Sequence, residues 1–138
     1  LSQDFFAGTA AALGHQVVLF EACRGSATVA AALCYRSHDT LYGRFWGTSE
    51  DLPDLHFETC YYQGIEYCIN EGLARFEPGA QGEHKIPRGF LPVPTASAHA
   101  VLTQAFRASV QDFCLREGRM MQAQCQELMQ HSPYRQEG

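Results

Sequence analysis

The stretch HQVVLFEACRGSATVAAALCYRSHDTLYGRFW, residues 15–46, decides the fold. It contains three apolar runs built from the aromatic, β-branched and small residues that occur in strands. Two short turns, at residues 24–26 and 38–39, separate the runs. Because turns this short join neighbouring antiparallel strands, the stretch predicts a three-stranded antiparallel meander. The predicted strands are residues 15–22, 28–36 and 40–46.

Helical patterns flank this meander on both sides. Residues 2–13 predict a short helix, with Ser2 as its N-cap and Gly14 just after its last turn. Residues 56–71 predict the clearest helix, and residues 103–129 a long one, because apolar side chains recur every three or four positions. The predicted inward-facing positions are Phe57, Cys60, Tyr61, Ile65, Cys68 and Ile69, and then Phe106, Val110, Phe113, Cys114 and Leu128.

Two further strands and a long connection complete the order. Residues 73–77 and 95–101 each predict a short strand. Between them, residues 78–94 are rich in glycine and proline, and a connection this long in a compact domain is usually functional or disordered. The order helix, three strands, helix, strand, connection, strand, helix predicts an α+β fold with helices packed on a mostly antiparallel sheet.

Length and composition fit one globular domain, because the chain has 138 residues, of which 46% are hydrophobic and 18% charged. No apolar run reaches the roughly 20 residues that span a membrane, and no signal peptide is visible, so a cytoplasmic protein without membrane contact is expected. The chain begins without Met inside a predicted helix, which suggests a fragment. The formal net charge of −5 argues against a broad nucleic-acid surface.

The six cysteines predict free thiols rather than disulfides. They form no CxxC pair, and most lie in apolar strand or helix patterns, as buried thiols of a reducing compartment do. No metal site is predicted, because the histidines and acids lack the close, regular spacing of zinc ligands. The ligands considered are Glu58, Glu83, His84 and His99.

Residues 78–94 contain the highest density of side chains that could act in catalysis or ligand binding. Gly79 and Gly82 permit unusual backbone angles and the close approach of a ligand. Glu83 or His84 can take a proton from an amine nucleophile, which makes these two residues the candidate catalytic bases.

Cationic side chains follow the candidate bases directly. Lys85 and Arg88 can hold a phosphate or a carboxylate, and Gln81 joins them as a candidate substrate-binding residue. We expect these side chains to line one concave site with the two bases. The competing interpretation is a solvated surface turn whose charges pair locally, and the sequence leaves both open.

A second candidate lies at the start of the predicted helix 56–71. His56 and Glu58 occupy its amino terminus, and a helix amino terminus beside a sheet is a natural ligand position. Tyr62 lies about 100° around the helix from the core position Tyr61 and could reach a pocket. The competing interpretations are a capping histidine, an ordinary first-turn acid and a tyrosine packed on the surface.

Four segments of the chain resemble the FemAB-like bacterial proteins, which are often described as GNAT-family N-acetyltransferases or peptidoglycan-biosynthesis proteins. The resemblance covers nearly the whole chain, and its most specific part is GAQGEHK followed by RGF. The four segments are LYGRFWG at 41–47, HFETCYYQGIEY at 56–67, FEPGAQGEHK at 76–85 and RGFLP at 88–92.

The resemblance implies a GNAT-like fold and a longer protein of two GNAT-like halves, in which residues 1–138 are one domain, the carboxy-terminal half. It implies transfer of an acyl or aminoacyl group, from acyl-coenzyme A or aminoacyl-tRNA, to an amine on a small molecule or peptide. On this hypothesis Glu83 or His84 is the base and no metal takes part. The substrate-binding residues are then Gln81, Lys85, Arg88, Glu58 and Tyr62.

The chain departs from the related patterns in two places. Residues 47–53, where GNAT enzymes cradle pyrophosphate, contain one glycine and two adjacent acids, which predicts weak coenzyme A binding. Fem ligases carry aromatic-Lys-x-Gly-Phe where residues 86–90 read IPRGF, and arginine does not simply replace lysine.

The alternative function is a non-catalytic half that packs on its missing amino-terminal partner half or forms a homodimer. The third possible function is a non-catalytic module that binds a small molecule or, less favourably, tRNA.

Overall fold

The computed structural model of the chain describes residues 1–79 and 82–134. The chain divides into two compact units, Leu1–Ala80 and Gln81–Gly138. We call them the sheet unit and the helix unit, because the first holds every strand found in the described residues and the second holds one long helix.

The sheet unit begins with helix α1, Gln3–Leu13. Ser2 caps it, because its Oγ accepts a hydrogen bond from the Phe5 N–H at 3.3 Å, and Gly14 with φ 52° ends it. The predicted helix and both of its caps are confirmed. A 3₁₀ turn, Gly14–Gln16, follows, so the first two residues of the predicted first strand belong to this turn instead.

The predicted meander is confirmed, and β1 and β3 each end two residues later than predicted. The turn between β1 and β2 contains Gly25 at φ 63°, a backbone conformation that glycine adopts without strain. Strand β4 pairs with β3 in parallel, so the order is β1-β2-β3-β4 and the sheet is mostly antiparallel. The strands are β1, Val17–Arg24; β2, Ala27–Arg36; β3, Thr40–Thr48; and β4, Arg75–Glu77.

The helix predicted at 56–71 is present as one continuous helical run between β3 and β4. Its middle part is wound as a π-helix, in which each turn takes one more residue than an α-turn. The apolar spacing gave no sign of this irregularity. The parts of the run are α2, Leu55–Phe57; the π-helical segment, Glu58–Tyr62; and α3, Gln63–Asn70.

The buried side of this helical run is narrower than the sequence predicts. Tyr61, Gly64 and Cys68 are buried, and Phe57 is half-buried. Ile69 is 74% exposed, so its assignment to the core is wrong. Consecutive helical residues lie about 100° apart, so Ile69 falls beyond the edge of a side centred on its neighbour Cys68.

The core of the sheet unit lies between the helical run and one face of the sheet. Its buried centre is Cys34, Leu41 and Cys68. Burial, reinforced by the neighbouring thiols, raises the pKa of Cys34 to about 12, so this thiol stays protonated at neutral pH. None of the six cysteines, all of which the structure describes, forms a disulfide bond. The side chains packed around the centre are Val18, Phe20, Tyr67, Leu73 and Phe76.

Helix α1 and the helical run lie on opposite faces of the sheet. The ring of Phe6 in α1 meets Phe45 edge-on at 5.5 Å, whereas the next residue, Trp46, meets His56 of the helical run at 5.3 Å. Successive strand residues point to opposite faces, so these two contacts place one helical element on each face.

The helix unit contains α4, Gln104–Met129, the long helix predicted at 103–129. None of its residues is buried, so the predicted inward-facing positions are corrected. Phe106 is 63% exposed, Phe113 and Cys114 are exposed as well, and Val110 is half-buried, as is Leu128. The three- and four-residue spacing identifies an apolar side of α4, but a spacing cannot say what covers that side.

The prediction of a strand at residues 95–101 is wrong, because this segment has no regular secondary structure. Its sequence TASAHAV consists mostly of small side chains, which offer a neighbouring strand little surface to pack against. The nearby prolines Pro92 and Pro94 remove backbone donors as well. Locally, Ser97 Oγ and His99 Nε2 lie 2.9 Å apart, within hydrogen-bond distance.

The fold is therefore α+β, with a mostly antiparallel open sheet and packed helices, and it is consistent with a GNAT-like fold. That residues 1–138 form one GNAT-like domain of a longer protein stays a prediction. In the part of the chain that the structure describes, no helix is both long and apolar enough to span a membrane.

Candidate functional site

A 3₁₀ segment, Glu83–Arg88, carries most of the predicted site residues in the helix unit. A glycine with positive φ stands at each end: Gly82 with φ 111° and Gly89 with φ 90°. A residue with a Cβ atom is strained in these backbone conformations, so glycine is required at both ends. The glycine-rich motif thus forms a short, sharply bounded element.

Hydrogen bonds within the 3₁₀ segment hold it in shape. The Lys85 N–H donates to the Gly82 carbonyl at 3.1 Å. Arg88 Nη1 donates to the His84 carbonyl oxygen at 2.7 Å, so the last side chain of the segment closes back on its second residue. A charged donor makes this bond stronger than a neutral one. Arg88, predicted as an anion anchor, therefore has a structural role that the sequence did not predict.

The side chains of the 3₁₀ segment point in different directions. Glu83 and His84 are exposed, whereas Lys85 is only 8% exposed. Consecutive residues of a 3₁₀-helix lie about 120° apart, so these three side chains diverge, and Arg88 shares the side of Lys85. Both candidate bases lie at the surface. A single concave site containing all four residues stays a prediction.

His84 is positioned by the glycine two residues before it. A Cβ atom at Gly82 would overlap the imidazole ring, so the ring packs directly over this glycine. At the other end of the segment, the Tyr134 hydroxyl donates to the Gly89 carbonyl at 3.1 Å. Gly82 thus serves both the backbone conformation and the close approach of a side chain.

Glu58 and Tyr62 lie in the π-helical segment of the sheet unit, and both are exposed. Gln63 Nε2 donates to Glu58 Oε1 at 2.8 Å and fixes that carboxylate. Tyr61, by contrast, is buried, with its ring stacked on Phe57 at 6.1 Å. π-turns inside α-helical runs are frequent at functional positions, and the role of Glu58 and Tyr62 in substrate binding stays a prediction.

His56 is half-buried among aromatic side chains. Its ring meets those of Trp46, Phe57 and Tyr61 edge-to-face, with centroids 5.3, 5.5 and 5.3 Å away. The N-cap of the helix is Asp54, with φ 59°, so the interpretation of His56 as the capping residue is corrected. Its ring serves the packing of the helical run on β3.

A groove of about 450 Å³ runs between β1 and the helical run, inside the sheet unit. Two acidic residues are among those that line it: Glu21, whose carboxylate accepts from the Thr28 hydroxyl at 3.1 Å, and Glu58. In the described residues, neither carboxylate has a cationic partner within salt-bridge distance. Sequence reasoning missed Glu21, although an acid at an outward position of an apolar strand was the available signal. The apolar lining is Leu19, Phe20, Ala22 and Leu55.

The loop at residues 47–53 is ordered by its own contacts. Glu50 pairs with Arg24 at 2.7 Å, and the Thr48 hydroxyl bonds both the N–H and the carbonyl of Glu50. One of its two acids is therefore neutralised, so the shortage of glycines is the stronger argument against a pyrophosphate cradle.

Gln81, a predicted substrate-binding residue, lies outside the described residues. Within them, no cluster of three His, Cys, Asp or Glu side chains could hold a metal ion.

The comparison with protein families finds a match over nearly the whole chain. The FemAB_like family model, described as peptidoglycan biosynthesis/recognition, matches residues 1–136. The chain belongs to the FemAB-like family. The resemblance that rested on four segments is confirmed, and the FemAB-like chain has a role in peptidoglycan biosynthesis. No curated protein and no solved structure shows significant similarity to it.

Proposed function

We propose that this chain takes part in acyl or aminoacyl transfer to an amine during peptidoglycan biosynthesis. The observation that carries the proposal is the exposed pair Glu83 and His84, held on a 3₁₀ segment between two positive-φ glycines. The pair lies in the most specific motif of the FemAB-like resemblance. Two proton acceptors on a conformationally fixed element are what a general base requires.

The steps of the proposed transfer reaction follow from an amine acting as the nucleophile. The amine attacks the carbonyl carbon of a thioester or ester, and a C–N bond forms. Glu83 or His84, directly or through a water molecule, accepts the proton that the nitrogen loses. The C–S or C–O bond then breaks, and the leaving thiolate or alkoxide takes up that proton from the base. Backbone N–H groups stabilise the oxyanion between these steps.

The remaining site residues divide into two roles. Lys85 and Arg88 bind an anionic group of the donor or acceptor, and Arg88 also positions His84 through its carbonyl. Gln81, Glu58 and Tyr62 contact the substrates. The donor is an acyl-coenzyme A or an aminoacyl-tRNA. The loop at residues 47–53 lacks the glycines of a pyrophosphate cradle, which is unfavourable for coenzyme A, and the net charge of −5 is unfavourable for tRNA.

A second function, a non-catalytic scaffold, is favoured by a different observation. Helix α4 exposes large apolar side chains, whereas monomeric soluble proteins rarely expose extended apolar patches. A helix of this kind suits packing on a catalytic partner half or on a second copy of the chain. The exposed side chains are Phe106, Phe113, Leu115, Met120 and Met121.

The two functions are separated by substitutions in the full-length protein. Glu83→Gln and His84→Ala are each expected to lower turnover about 100-fold, the usual effect of losing a general base. The melting temperature should not change, because both side chains are exposed. The measurement is transfer of a radiolabelled acyl or aminoacyl group to the amine acceptor.

Glu117→Gln is the matched control, because it removes an exposed carboxylate of α4 and has no proposed catalytic role. If both site variants retain the turnover of the control, neither residue is the base. The scaffold function would then replace transfer as the conclusion.

A further inference from the structure

A tyrosine that follows α4 is bonded to the 3₁₀ segment within the helix unit. The Tyr134 hydroxyl donates to the Gly89 carbonyl at 3.1 Å, across 45 residues of sequence. Gly89 is the residue at which the 3₁₀ segment ends. The bond is therefore made at the boundary of the element that carries the candidate bases Glu83 and His84.

The same hydroxyl occupies the space beside the Cα atom of Gly89. A Cβ atom at Gly89 would lie 2.5 Å from the Tyr134 hydroxyl oxygen, which is closer than an ordinary contact between these atoms. Gly89 thus has two reasons to be glycine: its φ of 90° and the close approach of the tyrosine. The glycine of the RGF motif is therefore fitted to a side chain that is distant in sequence.

Tyr134 is held in turn by the end of α4, whose last residue is Met129. In the turn that follows, the Ser132 N–H donates to the Met129 carbonyl at 3.2 Å. The Tyr134 N–H then donates to Ser132 Oγ, also at 3.2 Å. A series of hydrogen bonds thus connects the end of α4, through Ser132 and Tyr134, to Gly89.

A second contact attaches the chain beyond the 3₁₀ segment to the same helix. The Cys125 thiol of α4 donates to the Pro92 carbonyl at 3.8 Å, and a thiol is a weak donor. Pro92 follows Gly89 closely in the sequence. The chain that leaves the segment is therefore attached to α4 and its following turn at both positions, with the stronger bond at Gly89.

We propose that Tyr134 is a positioning residue of the transfer reaction, whose hydroxyl holds the 3₁₀ segment where its exposed bases can act. The bond from Arg88 to the His84 carbonyl fixes the shape of the segment, whereas the bond from Tyr134 fixes its placement relative to α4. A general base acts only within hydrogen-bond reach of the proton that it accepts, so placement matters as well as shape. The inference rests on the proposed function, because it takes Glu83 or His84 as the base.

The bond from Tyr134 has little weight in the stability of the chain. Tyr134 is 59% exposed, and a hydrogen bond that replaces bonds to water contributes little to the free energy of unfolding. Loss of the hydroxyl should therefore change the placement of the 3₁₀ segment and leave the chain folded. This separates a positioning role from a merely structural one.

The first experiment measures hydrogen exchange in the full-length protein, by mass spectrometry of a peptide that covers residues 83–90. The Gly89 N–H donates to the Ile86 carbonyl at 2.9 Å. The Phe90 N–H donates to the Lys85 carbonyl at 3.2 Å. Tyr134→Phe keeps the ring and removes the hydroxyl, and it should speed exchange of these amides about fivefold, the effect of one lost hydrogen bond on local opening. Unchanged exchange would contradict the proposal.

The second experiment measures turnover and its pH dependence. Tyr134→Phe should lower turnover about tenfold with an unchanged melting temperature, because small displacements of a catalytic group are costly. The pH–rate profile should keep its shape at the lower rate, because the titrating base is still present. Loss of one limb of the profile would show that Tyr134 itself transfers a proton, and would rule out the positioning role. Tyr42→Phe, which removes an exposed hydroxyl of β3, is the control and should change neither exchange nor turnover.

A combined variant distinguishes failure of this inference from failure of the proposed function. In a protein that already carries Glu83→Gln and His84→Ala, Tyr134→Phe should cause no further loss of turnover, since no base remains to be positioned. A further tenfold loss there would overturn the inference, as would full turnover of Tyr134→Phe when either base variant loses about 100-fold. Full turnover of all three single variants would overturn the proposed function and the inference with it.

Discussion

The sheet unit and the helix unit use the same sequence pattern with different results. Residues 56–71 and 103–129 both place apolar side chains at three- and four-residue spacing. In the sheet unit this pattern produces buried positions such as Tyr61 and Cys68. In the helix unit, α4 extends over 26 residues without one buried side chain. Periodicity therefore predicts that a helix forms and which side is apolar, while burial depends on what the rest of the chain places against that side.

The largest expected difference between the units comes from matched leucine truncations. Leu41→Ala removes a side chain with no exposed surface, and we expect it to lower the free energy of unfolding by about 2–5 kcal/mol. Leu115→Ala removes an exposed leucine of α4 and should change it by no more than about 0.5 kcal/mol. Urea denaturation measures both. Equal losses would mean that the two units do not differ in the way their burial indicates.

A pair of glycine substitutions gives a smaller effect with opposite signs. A Cβ at Gly64 would lie 2.5 Å from ring carbons of Phe76, so Gly64→Ala overpacks the core and should destabilise the chain by about 1–3 kcal/mol. Gly118 has no atom near its Cβ position, and Gly118→Ala should stabilise α4 by about 0.5–1 kcal/mol. Thermal melts followed at 222 nm report both changes. A loss of stability in Gly118→Ala would reveal a packed surface at that point of α4.

The smallest effect concerns acid stability. A hydrogen bond from the Thr40 hydroxyl, together with Ser37 and Arg75, lowers the pKa of Asp39 below its ordinary value. The unfolded-state pKa is about 3.9, so this carboxylate contributes stability above that pH and loses it as the pH falls through the lower, folded-state pKa. Asp39→Asn should therefore flatten the decline of the urea midpoint below about pH 4.

The control for this measurement is in the other unit. Asp112→Asn removes only an exposed pair with Arg116 at 3.0 Å, four residues further along α4, and such pairs contribute little. If Asp112→Asn flattens the acid branch as much as Asp39→Asn does, the contacts of Asp39 are not the cause.

Local signals in the sequence were enough for much of the fold. The caps of α1, the two short turns of the meander and the helical extent of residues 56–71 depend on signals within a few residues, and each prediction is confirmed. The parallel pairing of β4, the exposure of Ile69 and the absence of a strand at 95–101 depend on distant partners, which one sequence does not display.

The candidate site was predictable to a similar extent. The unusual backbone angles that the sequence permits at Gly79 and Gly82 are present, because both glycines have positive φ. The burial of Lys85 and the bond from Arg88 to the His84 carbonyl follow from the 3₁₀ winding, which the motif does not reveal.

The parallel pairing of β4 with β3 sets an order of folding. The meander needs only two short turns, so its strands can meet within microseconds, the time in which hairpins form. Thr40 and Arg75, partners in the parallel pair, are 35 residues apart and meet only after the intervening chain has been brought into a closed loop. Parallel pairing over such a separation is intrinsically slow. β4 is therefore the last strand to join the sheet, and the side of β3 that it covers stays accessible during the slowest step.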